Sequence, residues 1–272
     1  MSQLTFVTAL IDLEEPERQR NGNKGLVEYL QYFLKLIEGV PSMHIILFIS
    51  ETLETEFWSV FSSKLQRLTV IPVNFKNTWT WGTFYPHKDI VKLPDVRTVN
   101  HDTTNFLLVQ NSKLEWIHEA ISLNPYNSKY FAWIDFGIVH VFKDPTGTFD
   151  FIENMCTRTI ENTRMGSSPG ENTKKQCLIL PGCWEIPLAH AEEIYKRIWW
   201  RFCGGFLIGD ITSLELFFDL YQKFFSMTLA LRGRLTWEVN LWALIENTKR
   251  LHIDWYKADH NDSIVKIPHG LL

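Results

Sequence analysis

The stretch Tyr130–Phe131–Ala132–Trp133–Ile134–Asp135–Phe136–Gly137 decides how the rest of the chain is read. Five consecutive apolar or aromatic residues describe a strand buried on both faces. The run then delivers one carboxylate and, two residues later, a glycine. A buried acid is costly unless it is paired or holds a cation. In open α/β sheets, ligands sit at the carboxyl ends of the strands. Asp135 is therefore a candidate for gripping a divalent metal and, through it, a diphosphate. Spacing alone also allows an aspartate that merely caps the next turn.

The segments before this strand set the fold class. Leu4–Ile11 reads as a first strand, and Leu26, Tyr29, Leu30, Phe33, Leu34 and Ile37 form the stripe of an amphipathic helix that Gly39 and Pro41 stop. His44–Ile49 and Leu68–Val73 are two further strands, with Ser50 placed to cap a helix near Glu51. This β-α-β-α-β alternation predicts a parallel sheet with helices on both faces. From Asn74 to Asp102 the periodicity breaks into a long aromatic loop, read as a lid around Trp79 and Trp81. Ser112 is placed to cap a helix through Leu123.

Beyond Gly137 the pattern is less regular. Asn162–Gln176 reads as a surface loop, Gln176–Leu180 as a strand and Ala189–Trp200 as a helix. Phe202–Asp210 reads as a strand entered through Gly204 and Gly205, followed by a helix from Ser213 to Leu231. Thr236 is placed to cap a helix carrying Trp237, Leu241, Leu244 and Ile245. The expected architecture is one α/β domain over residues 1–272 with an irregular second half.

Composition narrows the function. The net charge of −4 lacks the basic excess expected for nucleic-acid binding. Cys156, Cys177, Cys183 and Cys203 form no C-x-x-C pair and read as reduced thiols. Met1–Ile11 lacks the basic leader of a signal peptide, and no apolar run reaches the roughly 18 residues of a membrane span, so the expectation is a soluble, intracellular protein. There is no Walker A loop, G-x-G-x-x-G, G-x-S-x-G or H-E-x-x-H. This sets aside P-loop NTPases, Rossmann dehydrogenases, α/β-hydrolases and zincins. The chain carries 11 Trp, 8 Tyr and 19 Phe. Such rings pack on sugars and nucleobases, but they also fill cores.

Several residues outside Asp135 carry potential chemistry. Gly204 and Gly205 let backbone approach a ligand closely, or form a plain bend. Asp210 reads first as a helix cap and second as a site residue. Glu238 and Asn240 lie in the first turn of their helix, where an acid suits the dipole and is also well placed as a general base. His260, among Asp259, Asn261 and Asp262, suits Mn²⁺, or is a spare surface histidine. Arg97 and Lys113 are single cations able to offset diphosphate charge, or ordinary surface cations.

In order, Phe6–Leu10, Pro94–Arg97, Asn111–Trp116, Tyr130–Gly137, Phe202–Asp210, Leu235–Asn240 and Trp255–His260 resemble the HtrL/YibB (WlaTC-like) family of bacterial and viral proteins over about residues 3–268. The resemblance implies a GT-A-type glycosyltransferase with a Rossmann-like mixed sheet. Its expected reaction moves a hexosyl or pentosyl unit from a nucleotide sugar, expected to be a UDP-sugar, to a saccharide acceptor of a surface glycan, lipopolysaccharide or glycoprotein. It further implies Mn²⁺ or Mg²⁺ on Asp135 and His260. The D-x-D motif is degenerate here, with Trp133 in its first place if Asp135 is its last. Thr8, Ala9, Leu10, Arg97, Lys113, Trp133, Asp135, Gly204, Gly205, Trp237 and Lys257 are implied donor contacts. Glu238 and Asp210 are implied catalytic acids. The implied place of action is the cytoplasm of a bacterium or of a virus-infected host cell, at a membrane surface where glycans are assembled. Two competing readings are a sugar nucleotidyltransferase and an inactive carbohydrate-binding protein. The acidic Asp12–Leu13–Glu14–Glu15 after the first strand disfavours the former.

Overall fold

The computed structural model describes residues 3–13, 25–61, 66–157, 177–184 and 192–271. The expected loop Asn162–Gln176 and the first part of the expected helix Ala189–Trp200 lie outside these residues. Strand β1 (Leu4–Leu10), helix α1 (Leu26–Gly39), strand β2 (His44–Ser50), helix α2 (Glu54–Val60) and strand β3 (Leu68–Val73) follow the expected alternation closely. Three helices follow, α3 (Trp79–Phe84), α4 (Thr104–Asn111) and α5 (Lys113–Leu123), and lead into β4 (Tyr130–Ile134). The second half holds α6 (Pro145–Thr157), β5 (Leu178–Gly182), β6 (Phe206–Asp210), α7 (Ile211–Arg232), α8 (Glu238–Asn247) and β7 (Asp254–Lys257).

The seven strands among the described residues join one sheet in the order β3-β2-β1-β4-β6-β5-β7. The first four are mutually parallel, as the alternation predicts. The sheet as a whole is mixed, because β6 enters antiparallel between β4 and β5, while β5 and β7 are parallel. Apolar clusters cover both faces. One gathers Phe33, Phe57 and Met155 under α1, α2 and α6; the other gathers Trp116, Phe217 and Trp242 under α5, α7 and α8. A fully buried side chain of this size stabilises by about 1.5–3 kcal/mol. Phe136 belongs to the first cluster, stacked on Phe33 at 4.3 Å between ring centroids, and so pins the residue beside Asp135. Gly137 abuts the Tyr29 ring, and a Cβ there would approach it to 2.6 Å.

Three expected helix caps are replaced by other bonds. Ser50 Oγ accepts from Asp12 N at 2.8 Å, tying the ends of β1 and β2. Ser112 Oγ donates to Leu108 O, because α4 runs almost directly into α5. Thr236 Oγ1 donates to Ile194 O, and Trp237 takes the N-cap position of α8 without a side-chain cap bond. The described part of Ala189–Trp200 holds only a short 3-10 turn, Glu193–Tyr195. Its backbone is drawn onto Asn240 instead: Trp199 N donates to Asn240 Oδ1, and Asn240 Nδ2 donates to Ile194 O and Arg197 O. No described helix is long and apolar enough to cross a membrane.

Candidate functional site

The strand directions bring the chemistry to one edge of the sheet. The parallel strands β1 to β4 end there. β6, being antiparallel to β4, begins there, and β5 and β7 end there too. Asp135 leaves β4 at this edge with its backbone N–H donating to Gly205 O at 3.0 Å, which carries the β4–β6 ladder one step further.

Behind Asp135 stands Lys113, the first residue of α5. Its side chain is only 3% exposed. The ammonium donates to Gly204 O at 2.8 Å, to Glu238 Oε1 at 2.9 Å and lies 3.1 Å from Asp135 Oδ1. An ammonium has three donors, and all three are used. The Trp133 indole adds a bond from Nε1 to Asp135 Oδ1 at 2.7 Å, and its ring faces the ammonium at 5.7 Å. Burial works against the Lys113 charge, but the Asp135 and Glu238 carboxylates outweigh it and hold the ammonium above the usual lysine range. Burial pushes the Glu238 carboxyl up against the pull of Lys113, and the Asp135 charge adds to the push. One cation thus serves two acids, and the excess negative charge faces outward through Asp135, whose side chain is 39% exposed.

Gly204 is the lid over this arrangement. A Cβ there would collide with Glu238 Oε1 and reach within 3.2 Å of Lys113 Nζ. Gly204→Ala is therefore expected to destabilise the fold by about 1–3 kcal/mol through overpacking, as read by urea denaturation. A loss under about half a kcal/mol, the scale of a neutral surface change, would show that the carboxylate yields freely. At Gly205 a Cβ would meet Ile138, Ile264 and Asp135 Oδ2 at 3.0–3.4 Å, a milder conflict.

At the same edge, the ends of β1, β2 and β3 border a shallow open cleft lined by Asp12, Ser50, Thr52, Asn74, Lys76 and Trp81, among others. β2 ends on Ser50, β3 hands over to Asn74, and β1 reaches Asp12 through Ile11, a signal present in the sequence and missed there. Thr8, by contrast, is wholly buried in mid-strand with its Oγ1 lacking a partner, and Leu10 is 5% exposed. The cleft is met instead by Asp12 and Leu13, beyond the expected Thr8–Leu10.

The Trp79–Trp81 segment is anchored rather than free to close as a lid. The buried Glu115 carboxylate accepts from Trp79 N, Thr80 N and Thr80 Oγ1, satisfying the amino end of α3. Trp79 also packs on Phe218 and Phe225. Burial raises the Glu115 pKa against those hydrogen bonds. A pKa raised by folding gives stability that is complete below the ordinary glutamate value of about 4.3 and is lost as pH climbs through the raised value. The melting temperature of Glu115→Gln relative to wild type is thus expected to rise from about pH 4 to about pH 7. Calorimetry across that range checks it, and a flat difference would contradict it.

The remaining expected residues are scattered. Asp210 pairs with Tyr130 at the far end of β4, about 17 Å of strand from Asp135 at ~3.4 Å per residue. It caps α7 by accepting from Ser213 N, and it is not part of this cluster. Trp237 is buried and bonds the Asp102 carboxylate. Arg97 donates to Pro94 O, with its Nε buried and unpartnered. Lys257 and His260 are exposed at the β7 end, and the His260 ring lies 6.0 Å from that of His140. Trp133 is 3% exposed and stacked on Trp116, so it supports Asp135 from the core.

Among the described residues no three His, Cys, Asp or Glu side chains converge on a point that would hold a metal. Lys113 and Trp133, however, both engage Asp135 Oδ1, and Oδ2 lies on the Gly205 side. One carboxylate oxygen plus substrate phosphates is a usual way for Mg²⁺ to be held. The donor set fits that arrangement and does not fit a closed protein cage.

A helix-flanked mixed sheet with a charged, half-open edge defines an α/β protein whose ligands belong at the carboxyl ends of its parallel strands. The sequence profile described as "Bacterial protein of unknown function (HtrL_YibB)" matches residues 2–154, and the chain belongs to this family. No curated protein matches it. Similar solved structures include mouse xyloside xylosyltransferase 1, with 10% identity, 94% of this chain and 85% of that one covered, and a TM-score of 0.44. The 4-diphosphocytidyl-2C-methyl-D-erythritol synthase of Anaerococcus prevotii shares 13% identity over 96% and 91% of the two chains at 0.41. The inositol-1-phosphate CTP transferase of T. maritima shares 10% over 99% and 93% at 0.43. At these values the likenesses bear on neither substrate nor mechanism.

Proposed function

We propose that this protein is a glycosyltransferase that moves a sugar from a nucleotide-sugar donor, a UDP-sugar in the first instance, to a saccharide acceptor of a surface glycan, lipopolysaccharide or glycoprotein. The observation that carries the reading is the Asp135 carboxylate. It is fixed by a buried ammonium and half open at the carboxyl edge, which also carries a cleft at the ends of β1–β3. The cleft would take the nucleoside, and its polar rim of Asp12, Ser50, Thr52 and Asn74 offers donors and acceptors for base and ribose. Asp135 Oδ2 would hold Mn²⁺ or Mg²⁺ on the donor diphosphate, and the ion supplies positive charge to the departing diphosphate.

The chain's own part is positioning. Lys113 and Trp133 fix the Asp135 rotamer, so no reorganisation is needed as charge develops. Lys113 has no free donor, so it acts through Asp135 rather than on the phosphates. Glu238, 5% exposed beneath Gly204, holds Lys113 from behind. In this reading Glu238 is a positioning residue and does not face the anomeric carbon. His260, exposed at the β7 end, would be a second protein ligand to the ion. The reaction is placed in the cytoplasm at a membrane surface where glycans are built.

The test is to incubate the protein with UDP-, GDP- or CMP-sugars and oligosaccharide acceptors, with and without Mn²⁺, and to follow nucleotide release with gain of acceptor mass. A product one sugar heavier supports the reading. Pyrophosphate release from NTP plus sugar phosphate, with no sugar transfer, would replace it by nucleotidyl transfer.

A further inference from the structure

We propose that Trp184 and Trp200 form a saccharide-binding platform that receives the acceptor; the assignment rests on the transferase reading and extends it. β5 runs in the same sense as β4, since both are antiparallel to β6, so its end at Gly182 lies on the edge that carries Asp135. Trp184 is two residues past that end. Trp200 O accepts the backbone N–H groups of both Cys183 and Trp184, at 3.1 and 2.9 Å, which ties the backbones of the two tryptophans together. Four residues after Trp200 the chain reaches Gly204, the cover of Glu238 and Lys113. With one strand between β4 and β5, the platform lies roughly 10 Å along the sheet from Asp135.

Exposure separates these two rings from the rest. Of eleven tryptophans, Trp184 at 45% and Trp200 at 37% are the exposed ones; the others contribute to packing. Single exposed apolar residues need no explanation, but this pair is bolted in place from behind. Arg201 is 6% exposed, donates through Nε to Glu246 Oε2 at 2.8 Å and through Nη1 to Trp184 O at 3.3 Å. Its guanidinium also lies 4.0 Å over the Trp255 ring. Trp199 stands edge-on to Trp184 at 5.5 Å, with its backbone N–H donating to Asn240 Oδ1. A buried arginine network thus anchors the backbone that carries both exposed tryptophans at this edge, which lowers the ordering cost of binding there.

The surroundings select the occupant. Lys257 is the register partner of Gly182, and Asp259 follows it; both are exposed. A flat aromatic face beside charged groups of both signs suits a sugar ring, which offers C–H groups on one side and hydroxyls at its rim. A purely apolar partner would leave those charges unsatisfied.

The experiment uses the full chain on an array of neutral and acidic oligosaccharides, with Trp184→Ala, Trp200→Ala and Trp200→Phe alongside. In parallel, the thermal shift of each protein with nucleotide sugars is measured. Wild type should retain at least one oligosaccharide, each alanine variant should weaken it by about tenfold or more, and Trp200→Phe should restore most of it. The nucleotide-sugar shift should be unchanged in all of them. A wild-type protein that retains no saccharide, or alanine variants that retain it as tightly, overturns the platform. Saccharide binding that depends on the two tryptophans, with no nucleotide sugar bound by any protein, keeps the platform and removes the transferase reading.

Discussion

Asp135→Asn is expected to lower sugar transfer by about 10²–10³-fold while leaving the fold intact. Asparagine keeps the size of the side chain and an oxygen to accept from Trp133 and Lys113, and the ammonium retains Glu238 as its ion-pair partner. What disappears is the outward negative charge that would hold the ion and the diphosphate. Steady-state transfer assays beside a circular-dichroism melt separate these effects. A variant with wild-type turnover, or one that simply unfolds, would contradict the role assigned to this carboxylate.

Lys113→Met has the second large effect, and it falls on stability. Removing the ammonium strands the wholly buried Glu238 beside Asp135 with no cation between them. Breaking a buried pair from one side costs about 3–5 kcal/mol. At about 2–4 °C per kcal/mol for a chain near this size, Tm should fall by roughly 10 °C. Removing both members should be far milder, so Lys113→Met with Glu238→Leu is expected to recover most of the loss. Denaturant melts of the two variants decide it. A single variant within about 1 kcal/mol of wild type, the worth of an exposed pair, would mean that the ammonium is not holding the site together.

The legible parts of this protein were those written in local pattern. β4 could be read because Tyr130–Ile134 is apolar throughout, and that run also delivered Asp135 to the edge. α1 and α7 were read from long stretches with buried stripes, and the Asp210 cap followed from its place before α7. α4 escaped because Thr104–Asn111 is short and its apolar residues, Phe106 to Val109, run consecutively instead of forming a helical stripe. The three missed caps share a cause: Ser50, Ser112 and Thr236 find tertiary or preceding-turn partners that outcompete the local amide. The antiparallel entry of β6 depends on how the chain returns to the edge, which no periodicity encodes.

The site divides in the same way. Asp135 and the glycine pair stood out in sequence, but the reason for Gly204 did not, because Glu238 beneath it lies far along the chain. Lys113 and Glu238 are 125 residues apart and meet only through the packing of α5 and α8 at one edge. As a lone lysine and a lone helix-start glutamate, each had an ordinary surface explanation. Arg201 gave no signal at all, since its value lies in Glu246, Trp184 and Trp255 being brought around it.

The most direct test is a thermal-shift titration of wild type and Asp135→Asn with UDP-, GDP- and CMP-sugars, each with and without Mn²⁺. The account predicts that at least one nucleotide sugar stabilises the wild type, by about 2.7 kcal/mol at 100 times its Kd, and that the asparagine variant loses most of that gain. A wild type indifferent to every nucleotide sugar, or a variant stabilised equally, would contradict it.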